Sequence, residues 1–385
     1  MKILYIVHTN AVGGSNKALF NILDYMRTRH EVRVVFPKPS DGKSIVRDYL
    51  VTNNIKFYTP CFYDALVYGT DKGIVRRFVR TVGRYYRHLR MRKKIKNIID
   101  DFQPDIVHTN NGIIDIALDY CIKKGIPHVW HLREYQDLDF HMSIMPSKKH
   151  WLKRIHRKGN YNIAITKGIF QYFNLRDCDT YIYDGVLDLH KQVQMLENKS
   201  NYFLFVAGAA FTPGKGLFDA LKAFYVFSLT NHECMLYVAG AEIDNQYKQA
   251  CMSFIEEKKL SGYIKFLGVR HDVDSLMRKA IATLVPSEFE GFGFITVESM
   301  YNDCIVIGRD SAGTKEQFDN GLALTGKEIG LRFTTVEGFA DCMEKAYRQD
   351  MEEMRRRAKK VVVYLYSIEE SCNQLNKFYH QISKK

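Results

Sequence analysis

The stretch that decides the fold is "TLVPSEFEGFGFITVESM", residues 283–300. An apolar strand stops at Pro286, a turn rich in glycine and phenylalanine follows, and a helix then begins. Glu290 and Glu298 flank the turn. A corner that joins a strand's carboxyl end to a helix's amino end presents unpaired backbone N–H groups and the positive end of the helix dipole. The stretch therefore predicts an α/β unit with an anion site at this corner.

The two glutamates suit the hydroxyl groups of a sugar nucleotide. Glu298, on the helix, can accept two hydrogen bonds from the vicinal hydroxyls of a ribose, and Glu290 can reach hydroxyls of a sugar. Gly291 and Gly293 allow close approach of the main chain. Because carboxylates repel phosphate, we expect a phosphate to be held by backbone amides and by a lysine elsewhere. In the alternative, Glu298 is an ordinary helix charge and Glu290 a solvated loop residue.

Buried strands alternate with helices along the whole chain, which predicts parallel sheets covered on both faces. Strand-like runs occupy 2–8, 30–37, 104–110, 127–134 and 161–168, and again 201–210, 234–242, 263–269, 280–287 and 304–310. The polar segment 184–201 separates the two sets. We therefore predict two doubly wound domains, 1–185 and 186–364, facing a central cleft, with a last helix at about 365–385 that packs back on the first domain. Ligands of such sheets bind outside the carboxyl ends of the strands.

Length and composition agree with two soluble domains. The chain has 385 residues, of which 46% are hydrophobic and 26% charged, enough for two cores. Its eight cysteines include no Cys-x-x-Cys pair, so we expect reduced thiols in a cytosolic protein. The apolar run near Met1 is too short for a signal peptide, and no run of about 18 apolar residues predicts a membrane span.

Positive charge is concentrated in the first half of the chain. Residues 1–185 hold 31 Lys and Arg against 17 Asp and Glu, whereas residues 186–385 hold 25 against 26. Residues 73–100 contain ten Lys or Arg on a pattern typical of an amphipathic helix, which favours contact with anionic lipid headgroups. The cations expected to make this contact are Arg76, Arg77, Arg80 and Arg84. A solvated helix face is the alternative; nucleic acid is not expected, because no nucleic-acid-binding module accompanies the charge.

Seven landmarks occur in the order typical of one enzyme family. They are "AVGGSNKALFNIL", "PHVWHLRE", "NIAITKG", "IYDGVLD", "TPGKGLFDALKAF", "FLGVRHDV" and "PSEFEGFGFITVESM". Together they resemble the retaining GT-B glycosyltransferases, in particular their large fourth family, which uses nucleotide-diphosphate sugars. The resemblance covers nearly the whole chain and implies the GT-B fold of two Rossmann-like domains.

The resemblance implies a role for individual residues. Lys215 would place its ammonium on the donor diphosphate, Glu290 would orient the donor sugar, and His131 would lie at the anomeric centre, so these three are the catalytic candidates. Arg133 would face the acceptor side. The donor-binding residues implied are Gly13, Gly14, Gly291, Phe292, Gly293, Phe294 and Glu298.

Two positions depart from the family pattern. The family carries an arginine shortly before the Lys-Gly pair, where this chain has Ala209 and Ala210. Arg270 and, as a second choice, Arg309 are candidates to replace that cation on the donor. Asp184 stands where the family has asparagine, and we expect it to affect only the geometry of the linker.

The implied function is hexosyl transfer from a nucleotide-diphosphate sugar to a glycan or lipid-linked acceptor, with retention, in surface polysaccharide synthesis. We expect the enzyme at the inner face of the cell membrane and without a metal cofactor. The Asp-x-Asp runs at 137–139, 177–179 and 272–274 do not follow strands in the way a metal site requires. Two alternatives are a sugar-nucleotide epimerase or hydrolase, and a non-catalytic sugar-nucleotide or glycan-binding subunit.

Overall fold

The computed structural model describes residues 1–10, 13–39, 42–60, 67–68, 74–140, 143–144, 147–190, 199–207, 211–241 and 245–384, without the side chains at 67–68, 74–82, 84–85, 87, 140, 143–144 and 245. The chain divides into two compact units. Unit 1 is Met1–Gly185 together with Ile368–Lys385, and unit 2 is Val186–Ser367.

Unit 1 is built on a seven-stranded parallel sheet. Its strands are β1 (Lys2–Ile6), β2 (Glu31–Val35), β3 (Lys56–Tyr58), β5 (Ile106–Thr109), β6 (His128–Leu132), β8 (Asn160–Ala164) and β9 (Thr180–Tyr181), and a separate antiparallel pair is formed by β4 (Val67–Tyr68) and β7 (Ser143–Ile144). The strand order is β3-β2-β1-β5-β6-β8-β9. The central strands are buried on both faces because helices cover the sheet on both sides.

Eight described helices complete unit 1. They are α1 (Gly14–Met26), α2 (Ile45–Thr52), α3 (Ile74–Phe102), α4 (Leu118–Lys124), α5 (Asp137–Phe140), α6 (Lys148–Ile155), α7 (Lys167–Tyr172) and α15 (Ile368–Ser383). The last of these packs its buried face, which includes Cys372, Leu375 and Phe378, into the same core as Leu19 and Leu23 of α1. Unit 1 is thus completed by the far end of the chain.

Unit 2 contains a six-stranded parallel sheet. Its strands are β10 (Tyr202–Val206), β11 (Met235–Ala239), β12 (Ile264–Gly268), β13 (Ala282–Val285), β14 (Ile305–Arg309) and β15 (Leu331–Phe333), in the order β12-β11-β10-β13-β14-β15. Its helices are α8 (Leu217–Ser228), α9 (Asn245–Glu257), α10 (Val273–Lys279), α11 (Phe294–Tyr301), α12 (Ala312–Thr325), α13 (Val336–Arg348) and α14 (Glu352–Leu365), with a 3₁₀ turn at Pro213–Lys215 before α8. A core cluster of unit 2 lies between the sheet and helices such as α8, α9 and α13.

Each sheet reverses its strand order once. The reversal lies between β1 and β5 in unit 1 and between β10 and β13 in unit 2. These orders are those of Rossmann-like, doubly wound sheets, whose ligands bind at the reversal. The predicted α/β fold class is confirmed, and the predicted long strands are present. The short strands β3, β9 and β15 and the β4–β7 pair were not predicted, because two or three residues carry too little periodicity.

Three histidines within the unit 1 sheet predict a loss of stability at acidic pH. Burial lowers the pKa of His108 and His131 well below the usual value and that of His128 to about 4. The unfolded chain, with histidine pKa values near 6.5, therefore takes up protons that the native state does not. The contribution of these three histidines rises with pH between about 4 and 6.5, and lowering the pH from 6.5 to 5.5 should remove about 3 kcal/mol of it.

The measurement is denaturant unfolding of the full chain at several pH values, followed by tryptophan fluorescence. The chain has two tryptophans, and Trp130 and Trp151 are both buried in unit 1, so the signal reports on that unit. The control His150→Gln, at an exposed position of α6, should leave the pH dependence unchanged. A stability that is flat between pH 6.5 and 5.5 would contradict the prediction.

Candidate active site

Lys215 and Glu290 meet where the strand order of unit 2 reverses. Lys215 ends the turn after β10, Glu290 lies in the loop after β13, and these two strands are paired neighbours. The Nζ of Lys215 donates to Oε1 of Glu290 at 2.8 Å. Both side chains are partly open to solvent, at 36% and 19% exposure. A cation for phosphate and a carboxylate for hydroxyl groups therefore lie side by side at the edge where such sheets bind ligands.

The loops that carry these two residues are packed against each other. The backbone N–H of Glu288 donates to the carbonyl oxygen of Gly214 at 3.1 Å. Gly216, which precedes α8, has φ +74°, and a Cβ there would lie 2.5 Å from the carbonyl oxygen of Pro286. This position requires glycine for both its conformation and its close contact. The Lys215 loop therefore packs tightly against the Glu290 loop in a single arrangement.

Arg309, the last residue of β14, joins the same two loops through its guanidinium group. Its Nε donates to the carbonyl oxygen of Pro286 at 2.9 Å, and its Nη2 donates to the carboxylate of Asp219 in the first turn of α8. Ser311 adds a third link, because its hydroxyl donates to the carbonyl oxygen of Glu288 at 2.7 Å. The end of β14 thus supports the loops on which the ion pair stands.

The turn of the sequence motif is held from one side by α12. The N–H of Gly313 donates to the carbonyl oxygen of Glu290 at 2.9 Å. The buried amide of Gln317 donates to the carbonyl oxygens of Phe292 at 2.7 Å and Gly293 at 3.2 Å. Three carbonyl groups of the turn are therefore satisfied within the protein. Gly293, with φ +95°, opens α11 and supplies no side-chain cap to its amino end.

The other predicted residues of this motif occupy α11 and the turn. Phe292 is buried and packs edge-on against Phe294, with ring centroids 5.7 Å apart, and against Tyr366 at 5.3 Å. Glu298 lies in the second turn of α11, half-buried. Gly291 lies in the turn itself. The amino end of α11 and both glutamates therefore belong to one strand–turn–helix segment at the carboxyl edge of the sheet.

Arg270 lies apart from this cluster. It follows β12, which the strand order places at the edge of the sheet with β11 between it and β10. Its guanidinium makes two hydrogen bonds to Asp272, at 2.8 Å and 2.6 Å, and remains 41% exposed. The structure instead brings Arg309 to the Lys215 and Glu290 loops. The signal for Arg309 in the sequence was its position at the carboxyl end of an apolar strand.

In unit 1 the glycine loop and His131 are connected through the end of β5. Gly13 precedes α1, which begins at Gly14. Asn110 donates from Nδ2 to the carbonyl oxygen of Ser15 at 3.2 Å, and its Oδ1 accepts from Nε of Arg133 at 3.2 Å. Arg133 Nη2 in turn lies 3.4 Å from Nδ1 of His131. These polar groups gather at the reversal point of the unit 1 sheet.

Arg133 and Asp184 form a buried ion pair, which corrects two expectations. Arg133 Nη1 donates to both carboxylate oxygens of Asp184, at 2.7 Å and 2.8 Å, and the two side chains are 3% and 4% exposed. Arg133 therefore does not present its charge to a membrane or to an acceptor at the surface. Asp184 does more than shape the linker, because it neutralises the one arginine that contacts His131 in the described part of the chain.

Burial governs the ionisation of this polar group. It lowers the pKa of His131 and His108 far below the usual value, and the positive charge of Arg133 lowers both further. Burial also lowers the pKa of His8, which follows β1, to about 4. It raises the pKa of Asp184, although Arg133 acts in the opposite direction. His131 is consequently a neutral imidazole at physiological pH.

The basic helix α3 has two kinds of surface over its described side chains. His88 and Arg92 turn inward to Asp115, at 3.3 Å and 3.6 Å, and Arg92 also pairs with Asp119 at 2.9 Å. The exposed side chains are Tyr86, Leu89, Arg90, Lys93, Lys94, Lys96 and Asn97, followed by the acids Asp100 and Asp101 near the end of the helix. The side chains of Arg76, Arg77, Arg80 and Arg84 lie outside the described residues, so the predicted membrane contact stays a prediction.

The Asp-x-Asp runs bind cationic side chains or backbone groups of the protein. Asp137 accepts from Lys148 at 2.8 Å, Asp179 pairs with Arg176 at 2.9 Å, and Asp272 pairs with Arg270. Within the described ranges, no group of three or more His, Cys, Asp or Glu side chains is arranged to hold a metal ion.

Comparison with known families identifies both halves of the chain. Residues 12–183 match the family model described as "Glycosyltransferase Family 4", and residues 188–361 match "Glycosyl transferases group 1". The chain thus matches a glycosyltransferase family 4 model in its first half and a group 1 glycosyltransferase model in its second half. It has the GT-B fold.

Individual relatives agree with this assignment. An uncharacterized glycosyltransferase of Methanocaldococcus jannaschii, MJ1178, is 29% identical over 215 residues, which are 53% of this chain and 56% of that protein. The crystal structure of Anabaena Alr3699/HepE in complex with UDP superposes with a TM-score of 0.75 at 16% identity, over 99% of this chain and 100% of HepE. The lipopolysaccharide outer core galactosyltransferase WaaB gives a TM-score of 0.69 at 17% identity over 99% of both chains. At these identities, the two superpositions establish the fold.

No helix among the described residues has both the length and the apolar character that a membrane crossing requires.

The bridging role of Arg309 predicts that its loss destabilises unit 2. Arg309→Met leaves the Asp219 carboxylate and the Pro286 carbonyl without this donor, which should cost about 1.5–3 kcal/mol of unfolding free energy. Arg270→Met is the matched control, because its ion pair with Asp272 is exposed and should contribute little to stability. Urea unfolding followed by circular dichroism measures both. Equal losses in the two variants would contradict the bridging role.

Proposed function

We propose that this glycosyltransferase moves a hexosyl group from a nucleotide-diphosphate sugar to a hydroxyl group of a glycan or lipid-linked acceptor, with retention of the anomeric configuration. The observation that carries the proposal is the contact between Lys215 and Glu290 at the strand reversal of unit 2. A partly exposed cation and carboxylate 2.8 Å apart match the adjoining phosphate and hydroxyl groups of such a donor. The retaining fourth family, which the sequence resembles, uses donors of this class.

Each part of the donor has a counterpart in unit 2. Lys215 would exchange its contact with Glu290 for a contact with the diphosphate, which frees Glu290 to accept from sugar hydroxyls. The amides of Phe292, Gly293 and Phe294 would add N–H donors at the amino end of α11. Glu298 would accept from the ribose. HepE was crystallised with UDP and with UDP-glucose, so uridine donors are the first to test.

The chemistry follows from these positions. The bond between the anomeric carbon and the phosphate oxygen breaks, and Lys215 and the helix amides stabilise the charge that develops on the leaving diphosphate. The acceptor oxygen attacks the same face of the sugar and loses its proton to the departing phosphate oxygen. Arg309 is engaged by Asp219 and Pro286, so it would support the Lys215 loop. We propose that this charge stabilisation makes a metal ion unnecessary.

Unit 1 would receive the acceptor. The amides of Gly13 and Gly14 would contact the diphosphate, and His131 would touch the transferred sugar. The name of WaaB, a lipopolysaccharide galactosyltransferase, supports an acceptor in a surface glycan. Such acceptors are often lipid-linked, which agrees with exposed cations and the exposed Tyr86 and Leu89 on α3. We therefore propose that the protein acts peripherally at the cytoplasmic face of the membrane.

Loss of Glu298 should weaken donor binding. The Glu298→Ala variant loses hydrogen bonds to the ribose worth about 1.5–3 kcal/mol, so the KM for the donor should rise roughly tenfold or more. The donor itself is found first by thermal shift with UDP, GDP, ADP and dTDP sugars, because a ligand at about 100 times its Kd stabilises the native state by about 2.7 kcal/mol. Product NMR then reads the anomeric configuration, with and without EDTA.

Glu256→Ala is the matched control, since Glu256 is exposed on α9 of the same unit and should leave the KM unchanged. An unchanged KM in Glu298→Ala removes Glu298 from the ribose site. Hydrolysis or epimerisation without transfer identifies the alternative enzyme class, and binding without any turnover identifies a binding subunit. An inverted product or a loss of activity in EDTA contradicts that part of the mechanism.

Removing the cations of α3 should release the protein from membranes. The quadruple variant Arg76→Gln, Arg77→Gln, Arg80→Gln and Arg84→Gln loses about 1 kcal/mol of attraction per charge close to an anionic surface. Co-sedimentation with phosphatidylglycerol-rich vesicles should fall, while the Tm stays within a few degrees of the wild-type value.

The control removes four exposed cations of unit 2, and its changes are Lys265→Gln, Lys327→Gln, Lys345→Gln and Lys360→Gln. It has the same net charge as the α3 variant and should retain vesicle binding. Equal release by both variants would indicate a general charge effect, and persistent binding of the α3 variant would show that α3 is not the anchor.

A further inference from the structure

The C-terminal helix α15 reaches His131 through a buried chain of polar side chains. The hydroxyl of Tyr379 lies 2.6 Å from Nδ1 of His108. Nε2 of His108 lies 3.2 Å from Nδ1 of His131. His108 and Tyr379 are fully buried and His131 is 3% exposed. Tyr5 closes the other end, with its hydroxyl 3.3 Å from that of Tyr379. None of these four residues belongs to the donor site of unit 2.

Arg133 decides the direction of these hydrogen bonds. A guanidinium group has donors only, and Nη2 of Arg133 lies 3.4 Å from Nδ1 of His131. Nδ1 must therefore carry a lone pair, and the proton of the neutral ring must be on Nε2. Burial and the charge of Arg133 both keep the pKa of His131 low, so the doubly protonated ring does not compete.

The same reasoning applies to His108 and Tyr379. His108 Nε2 approaches the lone pair on His131 Nδ1, so it must be the protonated nitrogen of His108. Nδ1 of His108 is then an acceptor. The Tyr379 hydroxyl has one proton and lies 2.6 Å from this nitrogen and 3.3 Å from the Tyr5 oxygen, so it donates to the nearer His108. One tautomer of each ring is compatible with all three contacts, with Arg133 Nη2 and His108 Nε2 sharing the single lone pair on His131 Nδ1. The opposite pair of tautomers would place Arg133 against an N–H group.

Nε2 of His131 is the last atom of this series of hydrogen bonds. It is buried and has no hydrogen-bond partner among the described residues. A buried N–H group without an acceptor costs free energy, so a fixed N–H at this place is suited to an oxygen that arrives with a ligand.

We propose that Tyr379 and His108 are positioning residues for His131, which they hold, together with Arg133, as a neutral imidazole with its proton on Nε2. The assignment of that N–H group to a sugar hydroxyl or ring oxygen rests on the proposed function. Tyr379 acts through His108 and does not itself touch the substrate. The C-terminal helix thereby contributes to the site of unit 1 in addition to its core packing.

The tautomer is measured directly on the full wild-type chain labelled with ¹⁵N-histidine. Two-bond ¹H–¹⁵N spectra near neutral pH, assigned with His131→Gln and His108→Gln, should give an N–H type shift for Nε2 and an imine-type shift for Nδ1 of both rings. A wild-type His131 that is protonated on Nδ1, or on both nitrogens, overturns the proposal. This readout needs neither substrate nor turnover.

Tyr379→Phe tests the positioning role. Phenylalanine fills the same space without the hydroxyl, so His108 should populate both tautomers and the fixed pattern of His131 should be lost. With the donor identified above, kcat should fall roughly fivefold, as for the loss of about one hydrogen bond, whereas the KM for the donor should stay within twofold. His108→Asn, measured in the same two ways, serves as the second variant.

Tyr202→Phe is the matched control. It removes another buried tyrosine hydroxyl, which donates to the carbonyl oxygen of Leu276 at 2.7 Å in unit 2, and should change neither kcat nor the histidine spectra. Wild-type tautomers and wild-type kcat in Tyr379→Phe overturn the proposal. If the wild-type protein transfers no sugar at all, the proposed function fails, while the spectra still decide whether this chain sets the state of His131.

Discussion

The reversal of strand order in each sheet is the constraint on which the rest of the structure depends. Neighbouring strands β10 and β13 send their following loops toward opposite faces of the sheet, so the carboxyl edge opens between them. Lys215 and Glu290 lie on those two loops. In unit 1 the reversal between β1 and β5 has the same effect for the glycine loop and Asn110. In both units, the polar side chains lie at the strand reversal, where the diverging loops leave the edge of the sheet open.

Two ion pairs at these edges differ in what they can do. Lys215 and Glu290 are both partly hydrated, so either partner can exchange the other for a ligand at small cost. Arg133 and Asp184 are buried, and removing one would leave an uncompensated charge in the interior. The first pair is therefore suited to binding and the second to keeping a fixed arrangement around His131. Arg309 is intermediate between these two cases, because it is half-buried and connects the loop after β13 to the first turn of α8.

The sequence predicted the fold class because the alternation of strands and helices is contained in the local order of residues. The roles of Lys215 and Glu290 were implied by the family resemblance, and their contact depends on the pairing of β10 with β13. The pairing of Arg133 with Asp184 spans 51 positions and that of Tyr379 with His108 spans 271. No periodicity links such residues, since their contact depends on how β6 and α15 pack in three dimensions. Arg270 was chosen over Arg309 for the same reason: the order of strands in a sheet is not contained in their order along the chain.

The division of the chain has a consequence for biosynthesis. Unit 1 consists of Met1–Gly185 and Ile368–Lys385, with all of unit 2 inserted between them. A ribosome therefore releases the segment that forms the unit 1 sheet long before the helix that covers its core with Cys372, Leu375 and Phe378. During that interval the nascent sheet exposes apolar surface, while the inserted unit can fold continuously as it emerges. Translation speed and chaperone access over the second half of the messenger are thus linked to the yield of native protein.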